Sequence, residues 1–60
     1  MWPAWMKEAL RLRTEARDCR RLAAVITYPR TVVALEELAD EADEHADQLE
    51  AHARVQLSLG

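Results

Sequence analysis

The sequence predicts an all-α fold: an antiparallel two-helix hairpin, helices at about 3–26 and 29–56, coiled-coil-like and completed by dimerisation or by docking on a partner. Three observations predict it. Strong helix formers (alanine, leucine, arginine, glutamate) dominate the 60 residues, and the single glycine is the last residue. One proline, Pro29, interrupts the middle of the chain between Thr27 and Thr31. Apolar residues recur at alternating three- and four-residue intervals on both sides of it, which is a heptad repeat.

Pro3 suits the first turn of a helix, where its missing N–H has no intrahelical partner. The first helix then runs to about Ile26, roughly 35 Å at 1.5 Å per residue. Its apolar seam is Trp2, Trp5, Ala9, Leu12, Ala16, Cys19, Ala23 and Ile26. A turn over Thr27 to Thr31 follows, with the two threonine hydroxyls as plausible caps. Pro29 opens the second helix, whose seam is Val32, Leu35, Ala39, Ala42, Ala46, Leu49 and Ala53. Gln56 would come next and is polar, so the seam weakens there. Glu36 and Glu37 lie early in the second helix and Arg20 and Arg21 late in the first, as the helix dipoles favour.

Folding at residue 29 brings together residues whose numbers sum to 58. Ala16 then faces Ala42, Cys19 faces Ala39, Leu12 faces Ala46 and Ala9 faces Leu49. Large opposite small is how close helices interdigitate. The edges agree with this register. Arg20 falls near Glu36, Arg13 near Asp43 and Met6 near Glu50 on one side. Leu22 falls near Leu38, Glu15 near His45 and Glu8 near His52 on the other. Ion pairs between exposed side chains add little stability, but they select one register over its rivals.

Sixty residues make one small domain, spanning 1–60. A chain this short is marginal alone and usually needs a disulfide, a metal or a partner. The lone Cys19 rules out an intrachain disulfide. No run approaches the roughly 20 apolar residues of a membrane span, and nothing reads as a signal peptide, so a cytoplasmic location without a transmembrane segment is expected. Charge is divided between the halves. Lys7, Arg11, Arg13, Arg17, Arg20 and Arg21 outnumber the acids of the first helix, whereas only Arg30 and Arg54 offset eight acids after Tyr28. Pairing of the two helices is the simplest use of that pattern.

No catalytic, cofactor-binding or metal-binding set is expected. His45 and His52 lie about 10.5 Å apart along a helix, too far for one metal, and the Glu-x-x-His spacing of di-metal bundles is missing. They are expected as edge partners of Glu15 and Glu8, tightening the fold on mild acidification. Cys19 reads as a small buried hydrophobe without an activating base. The acids of the second helix read as a solvated face, since paired-carboxylate catalysis needs a cleft.

The stretch Glu15-Ala-Arg-Asp-Cys-Arg-Arg-Leu-Ala23, then Thr27 and Pro29, then Leu35-Glu-Glu-Leu-Ala-Asp-Glu-Ala42, covers about half of the chain. It resembles a group of short uncharacterised bacterial helical-hairpin proteins, with the pattern Arg-Ala-x-x-Cys-Arg-x-Leu-Ala, a turn with Asp-Pro, then Leu-x-x-Leu-Ala. The resemblance implies a helical hairpin and carries no activity. Tyr28 stands where that pattern has an aspartate cap, which leaves the start of the second helix less sharply fixed.

The expected role is therefore that of a non-enzymatic interaction or accessory subunit, self-associating or docked on a larger protein complex. Its expected contact residues are the apolar ones outside the seam or at its end: Trp2, Trp5, Met6, Leu57 and Leu59 at the open end, and Leu22 with Leu38 near the turn. Tryptophan is enriched among interface hot spots. The alternative is a small nucleic-acid-binding regulator using Lys7, Arg11, Arg17 and Arg21 on the outer face of the first helix. The net charge of −3 argues against it.

Overall fold

A computed structural model describes residues 1–59, the side chain of Leu59 excepted. Two helices, α1 (Ala4–Val25) and α2 (Pro29–Leu59), pack along one another as an antiparallel hairpin. The rod measures 49 × 20 × 11 Å, a single layer of helices.

The helix ends follow from backbone chemistry, with corrections to the expected caps. Pro3 stands one position outside α1, in extended backbone (φ −63°, ψ 151°), and its carbonyl accepts the N–H groups of Met6 and Lys7. Ile26 has left helical geometry (ψ 140°), though its N–H still donates to the Leu22 carbonyl. Ile26, Thr27 and Tyr28 form the linker. Two of them are β-branched, and the residue before a proline is disfavoured in helical conformation. The Tyr28 carbonyl accepts the Val32 N–H, so Tyr28 rather than Thr27 heads α2, and Thr31 lies inside the helix. No acid falls in the first turn of α2 and no base in the last turn of α1, so the dipole contribution expected of Glu36, Glu37, Arg20 and Arg21 is weak. At its far end α2 runs past the expected limit near Gln56 to Leu59. The seam stops at Ala53, but no glycine or proline stops the helix before Gly60.

The seam itself is as expected. From Trp5 to Ile26 and from Val32 to Ala53, every seam position is buried or half-buried. Among the described residues the buried set is Ala9, Leu12, Ala16, Ala39, Ala42, Ala46 and Ala53, and Leu12 is its only large member. Cys19 and Leu49 pack half-buried against this core. Trp2 departs from the pattern. It lies before α1 begins and is 59 % exposed, because the chain there has not yet entered the helix that carries the seam.

Ala16, Ala39 and Ala46 are wholly buried, so the space between the helices there holds a methyl group and no more. Ala16→Leu is expected to force the helices apart and cost about 1–3 kcal/mol. Ala51→Leu, on the exposed back of α2, should change stability by less than about 0.5 kcal/mol. Urea denaturation of the two variants beside the parent measures the contrast.

Candidate protein interface

Two broad faces flank the seam, and their chemistry differs. One is crossed by ion pairs. Arg13 reaches Asp43 at 3.5 Å, Asp47 at 2.8 Å and Glu50 at 2.9 Å. Arg20 reaches Asp40 at 3.1 Å and Asp43 at 2.7 Å. Hydrogen bonds to Asp47 and Glu50 raise the Arg13 guanidinium above its ordinary value, and bonds to Asp43 and Asp40 do the same for Arg20. Asp43 was the expected partner of Arg13, but Arg20 passes over Glu36. The cause is the tilt of helical side chains toward their own N-terminus. An arginine of α1 leans toward the open end and an acid of α2 leans toward the turn. They meet when the acid lies further along α2 than backbone register alone implies.

The other face carries Glu8, Glu15 and Leu22 from α1 and Leu38, His45 and His52 from α2, by heptad position. The expected glutamate–histidine pairs do not form here. Arg11 takes both carboxylates, bonding to Glu8 and Glu15 along α1. Its fork spans residues three before and four after it, so both partners lie on the same helix stripe. His45 affects Glu8 only through its charge, and no histidine–carboxylate ion pair occurs among the described residues. The expected tightening on mild acidification therefore has no ion pair within the hairpin to produce it.

At the open end of the ion-pair face, Trp5, Met6, Ala9, Leu10 and Leu57 line an apolar groove rimmed by Arg13, Glu50 and Arg54. Three expected contact residues, Trp5, Met6 and Leu57, thus come together. Trp2 is exposed but does not line this groove. Leu22 and Leu38, each 52 % exposed, sit near the turn; Leu22 lines a shallow apolar hollow with Val25, Asp18 and Arg21, and Leu38 does not line it. The Leu59 side chain lies outside the described residues. Sequence reasoning missed Leu10 and Val25. Leu10 follows Met6 by four residues and so shares its helix stripe, a spacing that could have found it.

The four basic residues of the alternative reading are exposed on α1. Arg11 is occupied by two glutamates, while Lys7, Arg17 and Arg21 make no ion pair among the described residues. No group of three histidine, cysteine or acidic side chains there is placed to hold a metal, and no helix is long and apolar enough to cross a membrane. The geometry offers two apolar surfaces, one charged face and one histidine face. Comparison with protein-family models, curated proteins and solved structures gives no match.

The Glu8 carboxyl is held below its ordinary value of 4.5, first by the hydrogen bond from Arg11, with desolvation opposing and the charges of Arg11 and His45 assisting. A carboxylate lowered in the folded state stabilises the fold above its unfolded value. That contribution is lost as pH falls through the folded value. Thermal stability should accordingly drop below pH 4.5. Arg11→Gln should shrink the difference in melting temperature between neutral pH and about pH 3. Parallel melts of both proteins across the acid range measure it.

Proposed function

We propose that this chain is a non-catalytic protein–protein interaction module, a small subunit that acts by associating with itself or with a larger assembly. The observation that carries the reading is the surface left uncovered. A compact protein of 6.9 kDa exposes about 4000 Å², and this chain exposes 4911 Å². The excess, roughly 900 Å², is close to the 800 Å² or so that each partner contributes to a standard interface. Exposed Trp2, Leu10, Leu22, Leu38 and Leu57 are among the large apolar side chains of that surface. The seam of alanines supplies little in exchange, since each buried CH₂ contributes only about 0.8 kcal/mol. A partner that covers one face supplies the missing core.

Native mass spectrometry of the protein captured gently from its own cells tests this reading. A species heavier than one chain is expected, and a lone 6.9 kDa chain throughout would overturn it. Trp2→Glu and Leu38→Glu should each weaken the heavier species while leaving the helical circular dichroism signal nearly unchanged. Equal loss of assembly and helicity would assign these residues to the hairpin itself.

A further inference from the structure

We infer that the covering partner is a second copy of this chain, stacked on the histidine face about a two-fold axis parallel to the helices. The inference rests on the interaction reading above and names the partner and the face.

Away from its open-end groove, the ion-pair face is a poor candidate for burial. Arg13 and Arg20 already tie α1 to four carboxylates of α2 there. Covering those groups strips their water without giving them better partners. On the histidine face Arg11 holds Glu8 and Glu15 along its own helix, and a second copy can add partners to those carboxylates. Leu22 and Leu38 are half exposed with nothing over them, and His45 and His52 have no carboxylate partner among the described residues.

A two-fold axis lying between two stacked hairpins, parallel to their length, keeps every residue at its own height above the turn. It places α1 over α2 of the second copy, running antiparallel to it. Residues level with one another on the histidine face of one hairpin are therefore the ones that meet across the interface. Leu22 lies over Leu38 of the second copy. The Glu8 and Glu15 row lies over the His45 and His52 row of the second copy. A histidine N–H donates to a carboxylate whether the ring is neutral or charged, so that pairing is complementary in both states. Arg11 falls level with Gln48, which can accept from it. Asp18 and Glu41 are the one like-signed pair, and they occupy the outer edge of the face where water screens them. The contact is isologous: each pairing occurs twice, and the assembly closes at two copies. Two single layers become a four-helix bundle in which every neighbouring pair of helices is antiparallel.

The purified full chain tests this by sedimentation equilibrium and by disulfide trapping. A dimer is expected. Leu38→Glu should weaken it by roughly a hundredfold, whereas Leu10→Glu, on the ion-pair face, should change it by less than about threefold. For trapping, Cys19 is replaced by alanine. A chain with Leu22→Cys is then mixed with a chain with Leu38→Cys and oxidised. Cross-linked dimers should form in the mixture and exceed those of either chain alone. A monomer at all concentrations, a dimer that Leu10→Glu breaks and Leu38→Glu spares, or a dimer that does not cross-link in the mixture would each overturn the inference. If the isolated chain is monomeric but a heavier species is captured from cells, the interaction reading survives and only the second copy is excluded.

Discussion

The structure depends on the close approach of two helices along a seam built mainly of alanine. Small side chains let the backbones come near, and nearness decides the rest. It leaves no room for a large residue at Ala16, Ala39 or Ala46. It brings the flanking positions of α1 and α2 within reach of charged side chains. It also limits the apolar area that the hairpin can bury. A seam of leucines would have made a thicker core and a more self-sufficient hairpin. Alanine gives a well-specified register and little energy.

The two faces show how one register can satisfy one side and leave the other incomplete. On the ion-pair face, arginines of α1 lean toward acids of α2 that lean back toward them, and each guanidinium gathers two or three carboxylates. On the opposite face Arg11 stays on its own helix and holds Glu8 and Glu15. No side-chain ion pair crosses between the helices there among the described residues, and Leu22 and Leu38 remain uncovered. The two surfaces of the hairpin thus differ: one is tied across by ion pairs except at its open-end groove, and the other has no such tie among the described residues. That asymmetry, more than any single residue, supports the proposed association.

Most of the fold was legible because heptad spacing and burial report the same geometry. Each seam position from Trp5 to Ile26 and from Val32 to Ala53 could be read from apolar spacing, since nothing but the facing helix covers it. The ion pairs were legible only in part. Counting along the backbone finds Asp43 for Arg13 but misses the lean of long side chains, which carries Arg20 to Asp40 and Asp43 rather than Glu36. The histidine pairs failed for another reason: an arginine on the same helix competes for the same carboxylates at shorter reach. Caps were misplaced because threonine was judged by its hydroxyl, while the Pro29 ring and the β-branched Ile26 and Thr27 set the backbone of the linker. Of the candidate contact residues, Trp5, Met6 and Leu57 were brought together because they share the open end of one face. Leu10 was overlooked because it lies outside the heptad seam, and only its spacing from Met6 places it at the groove.

A thin core has a consequence for how such a chain behaves. When a hairpin buries little of its own surface, any partner that covers its open face adds to a small stability. The hairpin still holds its helices without that cover, but its melting temperature rises with the concentration of whatever binds it. A chain with a leucine-filled seam would gain proportionally less from being covered. The alanine seam that fixes the register of α1 against α2 therefore also makes the fold responsive to whatever covers it, because the same small side chains that permit the close approach leave the hairpin short of apolar surface to bury.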